Sequence, residues 1–254
     1  MTVIRLDRIG PVACLALDRP PHNFFDVAML EEIAAILERC ESDPEVRVSL
    51  LVSKHKNFCA GADFGEGRRP DPGPIYTSAV KLLKRTKPLV AAIGGAAVGG
   101  GLGLALIADL RIGDDTSWFQ ANFTRIGISA GFGISFTMPR VVGPQRTRDL
   151  LLTARRVPSR EALAIGLLDR VVEAGTLQDA ALALATEIAA NSPAATSATL
   201  RLLGRDDADH FAAAVVRELG LQRPLFAAPD FDEGVRASAE RRTPQFSNLQ
   251  EHEA

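Results

Sequence analysis

The chain has 254 residues, of which 46% are apolar, with a formal net charge of −2 and a mean hydropathy of +0.07. This length can bury the core of one domain, or of a domain with an appendage. A charge this close to neutral argues against general nucleic-acid binding, which relies on a surplus of Lys and Arg. No apolar run reaches the roughly 18 residues of a membrane-spanning helix. Because the first residues also lack the apolar core of a signal peptide, we expect a cytoplasmic protein without membrane insertion.

The three cysteines, Cys14, Cys40 and Cys59, have no C-x-x-C spacing and are predicted to be reduced thiols. Cys59 is interpreted as a small buried hydrophobe rather than a nucleophile. The four histidines show no metal-motif spacing, so no metal site is expected. All five lysines lie between residues 54 and 87, which indicates either a solvated face or a cationic rim for phosphate groups.

The first half of the chain is predicted to alternate between strands and helices, with turn residues between them. The predicted elements are a β-hairpin over 3–6 and 12–17, a helix from the N-cap Asp26 to Cys40, a buried strand over 46–53, an exposed loop over 68–74, a helix to about Thr86 and a strand over 88–93.

Residues 101–109 are apolar all round, which predicts a helix that is buried on every side. The elements expected after it are strands over 110–113 and 118–123, helices over 132–153 and 159–165, a strand over 168–172, and helices over 177–240 with breaks at Pro193, Pro224 and Pro229. This order predicts an α/β core over residues 1–190 and a helical region over 191–254 that ends in a flexible tail.

Two glycine-bearing loops, 58–63 and 98–103, each follow a strand-like run. Small residues allow the backbone itself to approach a ligand closely. Two such loops at neighbouring strand ends could direct two N–H groups at one oxygen, as in an oxyanion hole. The second loop also begins the buried helix, where free N–H groups favour negative charge. These features predict chemistry on a carbonyl group.

Two other motifs were weighed against this interpretation. The glycine triplet 99–101 fails the dinucleotide fingerprint, because leucine occupies the sixth position in either register. Residues 127–131, Gly-Ile-Ser-Ala-Gly, match the G-x-S-x-G nucleophile elbow. A serine hydrolase would then use Ser129 on a strand-to-helix turn with His210 and either Asp169 or Asp179.

The chain resembles the crotonase (enoyl-CoA hydratase/isomerase) superfamily from end to end. The segments that carry this resemblance keep the family's order over about 230 residues; they are 56–63, 86–109, 140–143, 152–156, 161–169 and 232–237. The resemblance implies an α/β fold, namely a spiral of ββα turns with an α-helical C-terminal trimerisation region. It also implies homotrimers or hexamers and acyl-CoA thioester substrates, with coenzyme A as part of the substrate and no separate cofactor.

Carried over by position, the resemblance implies that the backbone N–H groups of Ala62 and Gly100 form the oxyanion hole. It also implies a set of residues that bind coenzyme A or the substrate, namely Lys56, Ala60, Ala62, Asp63, Phe226 and Arg241.

The chain departs from the family at the two glutamates with which its hydratases hold water and move the proton. By alignment, these positions are occupied by Gly103 and Phe123, and neither side chain can exchange a proton. An acid or base could come instead from other residues that have no assigned role: His22, Asp63, Glu66, Trp118 or Ser129.

Three hypotheses remain open at this point. The first is an acyl-CoA enzyme with a relocated acid or base, such as an isomerase, a decarboxylase, a thioester hydrolase or a hydratase by another route. The second is an acyl-CoA binder with little turnover. The third, more distant, is the serine hydrolase that uses Ser129.

Overall fold

The computed structural model describes residues 3–64, 71–205 and 208–247. Its strands are β1 (Ile4–Ile9), β2 (Val12–Leu17), β3 (Val48–Ser53), β4 (Leu89–Ile93), β5 (Ala96–Val98), β6 (Leu110–Asp114), β7 (Trp118–Gln120), β8 (Arg156–Pro158) and β9 (Arg170–Val172). Its α-helices are α1 (Val27–Ser42), α2 (Pro72–Leu82), α3 (Gly100–Leu106), α4 (Ile134–Val142), α5 (Pro144–Thr153), α6 (Ser159–Ala164), α7 (Leu177–Ala189), α8 (Pro193–Leu200), α9 (Ala208–Phe226) and α10 (Pro229–Ala239).

The strands form two sheets, and the chain alternates between them. The larger sheet has the order β1-β2-β3-β4-β6-β9 and is parallel except for the β1–β2 hairpin. The smaller sheet has the order β5-β7-β8. A strand of the larger sheet, a strand of the smaller sheet and a helix follow one another as β4, β5 and α3, so this part of the chain is the ββα turn that the resemblance implies.

Both faces of the larger sheet are covered, which explains why its central strands are apolar throughout. Along β3, Leu50 and Val52 pack with the helix α7, whereas Leu51 packs in the main core with α1, α2 and α3. This period of two is the ordinary alternation of side chains along a strand.

Two buried arginines terminate α3 at its C-terminal end. Arg85 donates to the carbonyl oxygen of Ile107, and Arg111 donates to that of Ala108 at 2.8 Å and to that of Leu167 at 2.9 Å. Burial lowers the pKa of Arg111, which the nearby Asp169 and Asp109 oppose. Because the last carbonyls of a helix lack partners within it, these cations stabilise the end of α3 opposite Gly100.

Several predicted boundaries were wrong. Residues 72–74 belong to the first turn of α2, not to a loop, because Asp71 caps the helix and prolines fit a first turn that needs no N–H donor. The strand predicted over 118–123 ends at Gln120, where its partners β5 and β8 also end, and Phe123 is helical and precedes a 3₁₀ turn, Thr124–Ile126. The helix predicted over 132–153 is divided into α4 and α5 at Gly143, whose φ is 81°.

The C-terminal region contains α8, α9 and α10, and α9 packs against α2 and α4. Pro193 and Pro229 begin helices, as breaks at these positions predicted, but Pro224 lies inside α9, in its last turn. Exposed apolar side chains occur here, among them Leu202 and Val216; the role of the region in trimerisation stays a prediction. The predicted tail lies partly outside the described residues, as do Glu66 and residues 68–70 of the predicted loop. In the three described ranges, no helix combines the length and apolarity needed to cross a membrane.

The arginine at the end of α3 yields a stability prediction. Replacing Arg111 by Met should lower the free energy of unfolding by about 3 kcal/mol, because buried carbonyls and Asp169 lose their cationic partner. The measurement is urea unfolding at neutral pH. The control is Arg170→Met, whose exposed ion pair with Glu187 should contribute less than about 1 kcal/mol. Equal losses in the two variants would contradict this role of Arg111.

Candidate active site

The two glycine loops predicted from the sequence lie side by side and pair through their backbones. The N–H of Cys59 donates to the carbonyl oxygen of Ala96 at 3.0 Å, and the N–H of Val98 donates to that of Cys59 at 3.0 Å. The first loop therefore extends alongside β5, which places Ala62 near the start of α3. Cys59 itself is buried, and burial raises the pKa of its thiol to about 12, which is consistent with an inert packing residue.

Glycine is required where the two loops meet. A Cβ on Gly101 would lie 2.1 Å from the carbonyl oxygen of Cys59. A Cβ on Gly61, whose φ is +89°, would lie 2.9 Å from the carbonyl oxygen of Val98 and 3.3 Å from the nitrogen of Gly100. The distances of 2.1 and 2.9 Å are too short for any side chain and that of 3.3 Å is tight, so the spacing of the loops depends on the absence of Cβ atoms.

The backbone N–H groups of Ala62 and Gly100 make no hydrogen bond to the described part of the chain. Gly100 is the first residue of α3, and the preceding Gly99 donates its own N–H to Gln120 at 2.9 Å. Ala62 pairs in parallel with Phe25, whose N–H is bonded to Gly61. Among the hydrogen bonds of the described ranges, neither the Ala62 nor the Gly100 N–H is a donor.

Ala62 and Gly100 lie on the wall of one cavity of about 580 Å³. Its wall is mainly apolar and includes the aromatic side chains of Phe24, Phe25, Phe64, Trp118, Phe123, Phe132 and Phe226. Phe226 is half-buried and packs edge-on against Phe231 with ring centroids 4.9 Å apart. Such a concave, mainly apolar pocket with a few polar groups is typical of a small-molecule site.

The predicted coenzyme A residues are distributed over two neighbouring cavities. Ala60, Ala62, Asp63 and Phe226 line the first. Arg241 lines a second, polar cavity of about 550 Å³, which shares Asn122, Ile126 and Ser238 with the first. The second cavity also contains Arg125, Arg155, Arg156 and Arg242. Lys56 is exposed and directly precedes Asn57 on the wall of the first cavity.

Residues 8–250 match the family model described as enoyl-CoA hydratase/isomerase. The chain belongs to this family. It is 32% identical over 251 residues to the probable enoyl-CoA hydratase echA8 of Mycobacterium leprae, with 96% of this chain and 98% of the relative covered. It is 36% identical over 257 residues to a putative enoyl-CoA hydratase of Thermus thermophilus, with 93% of this chain and 98% of the relative covered.

Solved structures of the family have the same fold. An enoyl-CoA hydratase/isomerase from Pseudoalteromonas atlantica superimposes with a TM-score of 0.88 at 27% identity, covering 97% of this chain and all of the other. An enoyl-CoA hydratase from Mycobacterium avium subsp. paratuberculosis gives a TM-score of 0.87, also at 27% identity, covering 97% of this chain and 99% of the other. The predicted crotonase fold is confirmed.

The two positions expected to carry the glutamates of crotonase hydratases are packed with phenylalanine. A Cβ on Gly103 would lie 2.6 Å from Cδ1 of Phe132, whose φ is +63°. The Phe132 ring packs in turn on Phe25, with centroids 5.1 Å apart. Phe123 is buried and lies on the cavity wall. The space beside Gly103 is therefore occupied by an aromatic ring.

Three titratable side chains line the main cavity within the described residues: His22, Asp63 and Tyr76. His22 is exposed, and its Nδ1 lies 2.8 Å from the Asn57 amide nitrogen, so Nδ1 accepts and Nε2 carries the proton of the neutral ring. Asp63 is half-buried and directly follows Ala62. Trp118, another predicted candidate, also lines the cavity, with the guanidinium of Arg156 4.2 Å from its ring centroid.

Tyr76 and Gln222 were missed in the sequence analysis, although both line the cavity. Tyr76 is buried on α2, and its hydroxyl donates to the Gln222 side chain. Burial and the nearby Glu218 raise the pKa of Tyr76 well above its usual range, so the phenol stays protonated. The one signal in the sequence is that the chain's only tyrosine lies on the apolar face of the predicted helix before Thr86.

The serine-hydrolase alternative lacks its required geometry. Ser129 lies in an irregular segment between a 3₁₀ turn and α4, not on a strand-to-helix turn. Asp169 accepts the backbone N–H of Arg111 at 2.7 Å, and Asp179 is exposed in the first turn of α7. The G-x-S-x-G match is therefore not a nucleophile elbow.

The packing at Gly103 can be tested by a double-mutant cycle. Gly103→Ala should lower the free energy of unfolding by about 1–3 kcal/mol, because the new methyl group meets the Phe132 ring. Phe132→Gly removes the ring, and glycine suits the positive φ at this position. In the Phe132→Gly variant, adding Gly103→Ala should therefore lower the free energy of unfolding much less.

The control for this cycle is Gly220→Ala in α9, where an added Cβ meets no atom within 4 Å. It should stabilise the helix by about 0.5–1 kcal/mol. Additive effects of the Gly103 and Phe132 substitutions in thermal or urea unfolding would show that the two residues are not in contact.

Proposed function

We propose that this chain binds an acyl-CoA thioester and stabilises its enolate oxygen with the N–H groups of Ala62 and Gly100. The observation that carries the proposal is the pair of unused backbone donors on the wall of one aromatic cavity. Donors held by the backbone need no rearrangement when negative charge develops, and a site with low polarity strengthens each hydrogen bond.

The coenzyme A moiety fits the more polar surroundings of this cavity. Ala60 lies on the first glycine loop, and Lys56 lies just before it. The second cavity, which contains the arginines, shares Asn122 and Ser238 with the first cavity. Arg155 and Arg242 in that cavity already pair with carboxylates. Arg241 forms no ion pair among the described residues and is the stronger candidate for a phosphate group.

The reaction is proposed to differ from hydration by two glutamates. Gly103 and Phe123 supply no proton carrier, and Tyr76 is held in its neutral form. His22 and Asp63 are the remaining titratable groups on the described wall, and together with Trp118, Ser129 and Glu66, which lies outside the described residues, they are the candidates for the acid or base of an isomerase, a decarboxylase or a thioester hydrolase. Binding with little turnover is the second candidate, and the small number of proton carriers favours it.

The oxyanion hole can be tested through the carbonyl stretch of bound butyryl-CoA labelled with ¹³C at the thioester carbon. Binding to the native protein should lower the stretching frequency, because two N–H groups polarise the carbonyl. Ala62→Pro removes one donor and should lose most of the shift, together with about 10²–10³-fold of any enolate-dependent turnover. Ala62→Gly keeps the N–H and is the matched control. An unchanged shift in Ala62→Pro would exclude Ala62 as a donor.

The absence of the two glutamates predicts slow hydration of crotonyl-CoA. Since general acid–base catalysis contributes about 10²–10⁴-fold per group, the rate should be at least about 10³-fold below that of a family member with both carboxylates. Loss of enoyl absorbance measures the rate. Rapid hydration by the native protein would refute this part of the proposal. Turnover of malonyl- or hydroxyacyl-CoA without hydration would favour a relocated acid or base over simple binding.

A further inference from the structure

The aromatic cavity contains one buried polar pair whose hydrogen-bonding capacity is not exhausted. Tyr76 on α2 and Gln222 on α9 line the cavity and are 5% and 1% exposed. The remaining residues of this part of the wall are apolar, among them Ile75, Phe132 and Val235. A polar pair at such a position is costly unless its groups find partners.

The donors and acceptors of the pair can be counted. The Tyr76 hydroxyl donates to Oε1 of Gln222, and the nearby Phe132 backbone N–H, which lowers the pKa of the phenol, can occupy one lone pair of its oxygen. Nε2 of Gln222 donates one hydrogen to the carbonyl oxygen of Ser129. A hydroxyl has two acceptor lone pairs and an amide nitrogen has two hydrogens. One lone pair on Tyr76 and one N–H of Gln222 therefore remain for another group.

The backbone at Gly131 leaves room for the polar atoms of Tyr76 and Gln222. A Cβ on Gly131 would lie 1.8 Å from the Tyr76 oxygen and 2.6 Å from Nε2 of Gln222. The two polar atoms thus occupy the notch that the missing side chain of Gly131 leaves. Because Tyr76, Gln222 and Ser129 come from three separate segments, the fold assembles this pair and holds it in place.

We propose that Tyr76 and Gln222 form a binding site for a hydroxyl group on the acyl chain of the substrate. A hydroxyl can accept the free N–H of Gln222 and donate to the free lone pair of Tyr76, which satisfies both at once. This inference rests on the proposed acyl-CoA function and adds a substrate class to it, the hydroxyacyl thioesters. Water offers the same hydroxyl chemistry, and the experiment below separates these two sources.

The surroundings favour a neutral hydroxyl over a charged substituent. Glu218 is buried near Tyr76, where it accepts the N–H groups of Gly133 at 2.6 Å and Ser135 at 2.7 Å. A carboxylate on the substrate would lose its hydration in this cavity, whose described lining residues include no Lys or Arg to pair with it. A keto oxygen could accept from Gln222 but could not donate to Tyr76.

The test compares the affinities of butyryl-CoA, 3-hydroxybutyryl-CoA and 4-hydroxybutyryl-CoA by calorimetry. The native protein should bind at least one hydroxyacyl thioester about 10-fold more tightly than butyryl-CoA, as two neutral hydrogen bonds allow. In Tyr76→Phe and in Gln222→Met this preference should fall to about 1, while the affinity for butyryl-CoA changes less than 3-fold. Gln178→Met, an exposed glutamine on α7, should keep the preference.

Other outcomes separate the inference from the proposed function. Failure to bind any thioester would overturn both, whereas equal binding of all three ligands by the native protein would overturn only the hydroxyl site. If the two substitutions weaken the binding of butyryl-CoA as much as that of the hydroxyacyl ligands, the pair binds water and not the substrate. If Tyr76→Phe fails to fold, as judged by thermal unfolding, Gln222→Met decides alone; a preference that survives in the folded variants would refute the site.

Discussion

The close contact between two stretches of backbone is the constraint on which the site depends. Gly101 meets the carbonyl oxygen of Cys59, and Gly61 meets Val98 and Gly100, at distances that leave no room for a Cβ. The hydrogen bonds of Cys59 with Ala96 and Val98 hold this contact along the strand direction. The relative position of the Ala62 and Gly100 N–H groups therefore follows from main-chain geometry, with no side chain able to move one against the other.

The same contact is supported from the far end of α3. The helix is short and buried, so propensity alone could not maintain it. The two carbonyls that follow its last residue are bonded by Arg85 and Arg111, which are buried and also donate to Leu82 at the end of α2 and to Leu167. A shift of α3 along its axis would break the charge-assisted hydrogen bonds to Ile107 and Ala108, which is unfavourable for buried cations. The position of Gly100 at the cavity is thus set by groups at both ends of the helix.

Much of the fold could be predicted because its information is local. Apolar periodicity located the hairpin, α1, β3, β4 and the buried helix, and the glycine loops indicated where backbones approach. The boundaries of elements that depend on neighbouring strands or on a capping side chain were not predicted. The end of β7 is set by the short strands β5 and β8, and the start of α2 is set by the cap at Asp71. The pair Tyr76 and Gln222 escaped prediction because 146 positions separate its members and only tertiary packing joins them.

Under the proposed function, glycine and phenylalanine stand where the family resemblance places two carboxylates, which bears on the physical character of the cavity as well as on its chemistry. A carboxylate beside the hole would oppose a developing enolate, and its hydration would draw water into the cavity. With the Phe132 ring beside Gly103 and Phe25 beside Gly100, aromatic rings lie close to the second donor, and in surroundings of low polarity an N–H interacts more strongly with an oxyanion. Phe132 also joins this region to the polar pair, since its backbone N–H lies near the Tyr76 phenol and lowers the pKa of that group, while its ring packs on Phe25. Under the proposed function, the lack of a proton carrier at Gly103 and the neutral pair of Tyr76 and Gln222 are connected through Phe132, and together they support the proposed recognition of a polar acyl group.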